Sequence, residues 1–315
     1  QNPPMKGFAH RKNLQNYSNV RLAAFRFLEE TTTLYGEVLP RKILQEGFVF
    51  QETRIPLISP QGIFKPKILK FPLTITTAPP NERKSIPYDD CFVNEYLKYR
   101  YRGTDPTHPD NVGLRSAMEK QIPLIYFFGL IPGKYLPIWP IYIVGDDVKR
   151  LTFKVLLDDF KSLEQKESLV AEDDAGSRRK YITSSVKKRL HQHSFRERVL
   201  RAYHEQCSIC RLHHSELLEA AHILPDTHPL GEPVVPNGLA LCKLHHAAFD
   251  RNILGINPDF KIEIRRDILE EKDGPMLIHG LQGFQGAKIV IPRSSKLKPN
   301  PAFLEERFKI FQEAV

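Results

Sequence analysis

The chain has 315 residues, 41% of them hydrophobic and 26% charged, the composition of an ordinary soluble globular protein with apolar material for two or three domain cores. A formal net charge of +9 and a pI near 9.3 suit a polyanionic partner such as nucleic acid. Four cysteines exclude a disulfide framework and fit a reducing, cytoplasmic setting.

The opening QNPPMKGFAHRK has no secretory leader pattern. From Tyr17 to Leu34, Val20, Ala24, Phe27 and Leu28 recur at helical spacing, and Gly36 closes that helix. A shorter helix is expected around Leu39 to Gln45, and GFVFQETRIPLI then alternates and turns like a small hairpin. Helix, helix, hairpin is the order of a winged-helix module. Two readings stay open: one helix lies against DNA, or the piece caps the next domain.

From Lys70 the character changes to strands. ILKFPLTITT reads as a strand, APPNERKSIP as a loop, and the stretch from Tyr88 to Gly129 as strand, loop, short helix, strand. The run from Ile122 to Gly145 is long and apolar enough to suggest a membrane span. Pro132, Gly133, Lys134, Pro137 and Pro140 interrupt it, so two buried strands around a turn are expected instead. LTFKVLL adds one more strand. Cys91 is expected as a small buried hydrophobe.

This order, with Tyr99-Arg100-Tyr101-Arg102-Gly103, Asp110-Asn111, Leu114 and the strands IPLIYFFG, YLPIWPIYIV and LTFKV, resembles the SRA-type, PUA-like domains that read modified bases in DNA. The resemblance covers Lys70 to Asp158 and implies a flipped base held between aromatic faces, with a polar group on its Watson–Crick edge. Tyr88, Asp89, Tyr135 and Trp139 are the pocket candidates, each near a strand end or a proline-broken turn. Strand alternation sends about half of the region's aromatics into the core, so each candidate competes with a packing role.

The polar, acidic stretch from Asp159 to Ser177 reads as a linker. A basic run follows, in which Arg178, Arg179, Lys187, Lys188 and Arg189 are candidates for tracking DNA phosphates, against the alternative of a merely solvated face. Phe195, Val199 and Tyr203 mark a helix packing on whatever comes next.

What comes next is CSICRLHHSELLEAAHILPDTHPLGEPVVPNGLALCKLHHAAFD, Cys207 to Asp250. Cys207-x-x-Cys210 and Cys242-x-x-His245 have the spacing of two zinc knuckles sharing one tetrahedral site. His213, His214 and His246 compete for the fourth position. His245 is favoured because it mirrors the first knuckle and leaves His246 free. His246 and Asp250 lie four apart on an expected helix, so one face can offer both to a divalent ion. NILGINPDFKIEIRRDIL should supply a strand and turns, MLIHGLQGFQGAKIVIP a short strand, and Pro301 to Glu313 a closing helix.

AAHILP, PNGLALC and HHAAFD, in that order, resemble the HNH nucleases of the ββα-metal fold. The resemblance implies that His222 is the general base, that Asn237 braces the loop aiming it, and that His246 and Asp250 hold a divalent ion (Mg²⁺, or Mn²⁺, Ni²⁺ or Co²⁺). It also implies 5′-phosphate and 3′-hydroxyl products. Many relatives carry a further ligand just before the base, where this chain has Ala221; Glu219 or Asp226 are possible substitutes. The expected protein is α+β and multi-domain: a winged-helix-like piece (1–66), an SRA/PUA-like β-barrel reader (67–160), a linker (161–184) and a zinc-stabilised HNH nuclease domain (185–315). The expected function is a modification-dependent restriction endonuclease on double-stranded DNA carrying modified cytosine, with homodimerisation as one route to double-strand cuts. The alternatives are an HNH endonuclease reading unmodified sequence and an inactive zinc-stabilised DNA-binding protein.

Overall fold

In the computed structural model, which describes residues 7–79, 92–93, 96–158, 175–272 and 274–314, the chain divides into two units, Gln1–Leu190 and His191–Val315. The first unit opens with α1 (Gly7–Tyr35), β1 (Leu39–Pro40) and α2 (Arg41–Glu46). The hairpin β2 (Phe48–Phe50) and β3 (Thr53–Ile55) follows, in the expected helix, helix, hairpin order. Then come β4 (Ile63–Phe64), β5 (Thr74–Thr77), β6 (Phe92–Val93), β7 (Tyr96–Arg100) and α3 (Pro109–Glu119). Three strands complete the unit: β8 (Leu124–Ile131), β9 (Lys134–Asp147) and β10 (Thr152–Leu157).

One sheet runs in the order β4-β5-β8-β9-β10-β7-β6, with β1 attached to β9. Among the described strands, only β5 and β8 pair in parallel. The strand expected over ILKFPLTITT is confined to Thr74–Thr77, because Pro72 has no N–H for a ladder and Leu69 closes a turn onto Pro66.

The membrane-length run is explained by two covered faces. Along β8, Tyr126, Phe128 and Leu130 enter one core while Ile125 and Phe127 enter another. Both faces are therefore apolar and the alternation disappears into a continuous hydrophobic stretch. No helix among the described residues is long and apolar enough to cross a membrane.

On one face, Val20, Ala24 and Leu28 of α1, with Leu39, Leu44, Phe48 and Ile55, pack against Ile125, Phe127, Tyr135 and Trp139. Arg41 N–H also donates to Gly133 O at 2.7 Å. The N-terminal piece thus sits as a cap on the sheet, and a boundary at 66/67 runs through one core. The other face receives Leu114 of α3.

Helix α4 (Ala175–Ala202) begins inside the stretch 161–184 read as linker; residues 161–174 lie outside the described set. It gives Ile182, Val186 and Leu190 to the first unit's core and Phe195, Val199 and Leu200 to the second's. The second unit continues with β11 (Leu218–His222), β12 (Gly238–Cys242), α5 (Lys243–Asp250), β13 (Leu254–Ile256) and β14 (Ile262–Ile264). Helices α6 (Arg266–Glu270), α7 (Pro275–Gly280) and α8 (Pro301–Glu313) close it. The short strand expected in MLIHGLQGFQGAKIVIP is replaced by α7 and a single bridge between Lys261 and Lys288. Its apolar residues pack without a partner ladder.

Candidate active site and metal centre

The site is built on a two-stranded antiparallel hairpin followed by a helix. In β11 and β12, Leu218 pairs with Cys242 at one end and His222 with Gly238 at the other. Cys242 ends β12 and begins α5, so the next residues enter a helix at a fixed phase. Successive helical residues point about 100° apart. His245 therefore turns inward and is buried, while His246 next to it faces the hairpin's Glu219.

Cys207, Cys210, Cys242 and His245 bring one ligand atom each to within 4.8 Å of one another. Cys207 and Cys210 lie on a turn closed by Arg211 N–H on Cys207 O, and Ser208 N–H on Ala240 O fastens that turn to β12. Cys210 Sγ and Cys242 Sγ are 3.9 Å apart, and His245 Nδ1 lies 3.5 Å from Cys207 Sγ and 3.1 Å from Cys242 Sγ. A tetrahedron with metal–sulfur bonds of about 2.3 Å has sulfur–sulfur edges of about 3.8 Å, so the cluster has the size such an ion requires. The tautomer fits as well. Gly280 O lies 2.8 Å from His245 Nε2 and can only accept, so the proton sits on Nε2 and the Nδ1 lone pair faces the sulfurs. His213 and His214 are exposed and outside the group. These four residues form a Cys₃His group that could hold a zinc ion, and it is the one group of three or more potential ligands among the described residues.

His222 ends β11 with its ring stacked on Phe195, centroids 4.0 Å apart and planes 16° from parallel. Its Nε2 is 3.0 Å from Asp226 Oδ1, yet the two are not aligned as a hydrogen bond, and that buried nitrogen has no hydrogen-bond partner. Burial, opposed in part by the Asp226 carboxylate, holds the imidazole below its ordinary pKa. His246 and Asp250 are close enough for their charges to act on it as well.

Asn237, fully buried, accepts from Leu224 N–H at 2.9 Å and donates to Leu224 O at 2.9 Å and Glu232 O at 3.1 Å. Its own carbonyl accepts from Ile223 N–H. The segment leaving His222 is thus held by three bonds to one residue, and the fourth ties in Glu232 further along the loop. His246 Nδ1 lies 2.6 Å from Glu219 Oε2 and its Nε2 lies 3.3 Å from Asp250 Oδ2. The two ring nitrogens of His246 thus each face a carboxylate oxygen, Glu219 on one side and Asp250 on the other. Ala221, paired with Leu239, is fully buried in the core, so no donor comes from that position. Arg307 on α8 stacks on Phe249 and donates to Phe249 O at 2.6 Å, tying down the last turn of α5.

The reader candidates fare differently. Tyr88, Asp89 and Cys91 lie outside the described residues. Tyr135 and Trp139 are buried in the cluster beneath α1, because strand alternation in β9 puts them on the face with Ile125 and Phe127. They are packing residues, not an open base pocket; truncating Trp139 would cost roughly 3–5 kcal/mol of folding on core precedent. Asn111 is buried too and pins the 102–105 loop through Arg102 N–H, Arg102 O and Asp105 O.

The basic run is also partly absorbed. Arg189 pairs with Glu37 at 3.9 Å, Lys187 lies over the Phe92 ring at 5.1 Å, and Lys188 is exposed. The side chains of Arg178 and Arg179 lie outside the described set. Reading the sequence missed the Phe195 contact to His222, the Gly280 carbonyl behind His245 and Arg307 behind Asp250. Only the first left a trace, as a helical apolar stripe.

Comparison with known proteins gives one family match: residues 207–257 fit the HNH endonuclease family. No curated protein matches. Among solved structures, the chain is similar to a protein described as "Modification dependent TagI restriction endonuclease", at 13% identity, over 76% of this chain and 81% of that one. The TM-score is 0.28, below the level at which a shared fold follows.

Proposed function

We propose, from the premise that the chain is a DNA nuclease whose HNH endonuclease domain occupies residues 207–257, that it hydrolyses duplex DNA at His222 under the direction of its first unit. The observation that carries this reading is the family match over residues 207–257, a segment that contains His222 together with His246 and Asp250, whose side chains lie 3.3 Å apart.

Phosphodiester hydrolysis needs an activated water and stabilised charge on the phosphate and leaving oxygens. His222 takes the proton of the water. Burial depresses its pKa and so favours the neutral imidazole near pH 7, the form that can accept a proton. Asn237 fixes the direction of that ring by holding the backbone just beyond it. His246 and Asp250 would hold a divalent cation, with Glu219 keeping the His246 proton on Nδ1. Such a cation supplies charge neutralisation at the phosphate and the departing 3′ oxygen. In the Cys₃His group we assign zinc, with a purely structural role.

Asp250 carries unusual weight because Ala221 offers no ligand. Asp250→Ala should therefore abolish Mg²⁺-supported cleavage, and Asp250→His should shift the preference from Mg²⁺ toward Ni²⁺ or Co²⁺, which accept imidazole more readily. Titrating each metal against cleavage rate is the measurement. An unchanged metal dependence in Asp250→Ala would assign the ion to other residues.

For the first unit we propose recognition of modified cytosine, supported by the resemblance of Lys70 to Asp158 to SRA/PUA-like readers and by the basic charge of the chain. The pocket then lies elsewhere than at Tyr135 and Trp139. Plasmids differing only in cytosine modification, incubated with the full chain and divalent metal, test this. Cleavage confined to modified DNA is expected. Equal cleavage of both would leave an HNH endonuclease that reads unmodified sequence.

A further inference from the structure

We propose that Phe195 is a positioning residue for cleavage, its ring serving as the platform that sets the plane of the His222 imidazole. This rests on His222 being the base, and the test below separates the two ideas. A catalytic histidine is usually oriented by a hydrogen bond to one ring nitrogen. Here Nε2, though 3.0 Å from Asp226 Oδ1, makes no aligned hydrogen bond among the described residues, while the ring face lies flat on Phe195 at 4.0 Å and 16°. Two rotations could otherwise misalign the base, and the stack restrains the one that tilts the ring out of plane.

The slot for this platform is built by Gly238. It is the register partner of His222 across the hairpin, so α4 crosses directly over that pair. A Cβ at position 238 would lie 2.5 Å from Val199 Cγ2, 2.9 Å from Phe195 Cζ and 3.1 Å from Phe195 Cε2. Glycine's missing side chain thus lets Phe195 slide between the helix and the end of β11. Phe195 is itself 2% exposed, and a purely packing role would account for its burial. Packing does not require a neighbouring imidazole to be coplanar, however. Val199, one turn along α4 in the same core, also touches position 238 but makes no ring contact to His222.

That difference supplies the control. Phe195→Leu and Val199→Ala both remove core volume in the full-length protein and should lower the melting temperature. With zinc content and DNA KM unchanged, Phe195→Leu should lower kcat about 10- to 100-fold, the scale of a sub-ångström to 1 Å misplacement. Val199→Ala should stay within about twofold of the parent. If Phe195→Leu fails to fold, Phe195→Met, whose flexible chain fills irregular space, is read in its place. A leucine or methionine variant with parental kcat overturns the platform, as does an equal kcat loss in Val199→Ala. His222→Ala with undiminished cleavage would instead overturn the base assignment beneath it.

Discussion

His222→Ala is expected to cleave duplex DNA about 10²- to 10⁴-fold more slowly than the parent, the range spanned by removal of a general base, with DNA affinity and zinc content unchanged. The reason for so selective a loss is local. The buried Nε2 of His222 makes no aligned hydrogen bond, only a 3.0 Å approach to the Asp226 carboxylate, and the backbone is held by the β11–β12 ladder and, just beyond, by Asn237. Alanine keeps the ladder and the Asn237 bonds, so only the stacked ring is lost. Because the base acts in the chemical step, kcat should fall with little movement in KM. Single-turnover cleavage of a labelled duplex, alongside equilibrium binding, checks both halves. A variant cutting at near-parental rate would remove His222 from the mechanism.

The second large effect concerns Cys207→Ser, which should unfold the nuclease unit rather than slow it. Structural zinc contributes roughly 10–16 kcal/mol to the folding of small zinc domains, more than the whole stability of a typical domain. In this chain the metal-binding thiols are also core residues: Cys207 and Cys242 sit in the same apolar cluster as Phe249, Leu239 and Leu304. Losing one of the four ligands should therefore free the knuckle turn, then the end of β12 that Ser208 fastens, then the start of α5. Metal analysis and near-ultraviolet circular dichroism provide the readout. A folded Cys207→Ser protein holding one zinc per chain would take Cys207 out of the ligand set.

How much of this was legible beforehand depended on how tightly chemistry constrains spacing. The Cys₃His set could be read because tetrahedral coordination tolerates few spacings, and His245 followed from symmetry with the first knuckle. His246 and Asp250 were readable as one helical face. The aromatics of β9 were not, since alternation gives two faces and nothing local says which one is covered. Tyr135 and Trp139 fell on the face that α1 closes, a fact set by residues a hundred positions away. The basic run stayed ambiguous for a related reason: a lysine or arginine looks the same in sequence whether it meets a phosphate or, like Arg189, a glutamate of its own chain. Phe195 was visible as packing, but its contact with His222 depends on a glycine in a different strand.

The adjacent pair His245 and His246 has one more consequence. The two rings serve different sites from neighbouring positions on α5, one beside the sulfurs and the other beside Glu219. Their division of labour rests on winding phase alone, anchored where Cys242 leaves β12. A single residue inserted or deleted between Cys242 and His245 would rotate everything beyond it by a quarter-turn or more, swinging one imidazole out of the sulfur cluster and carrying the other away from its carboxylates. Substitutions at the helix positions other than His245, His246 and Asp250 act one side chain at a time, whereas a change of length ahead of His245 displaces all three together.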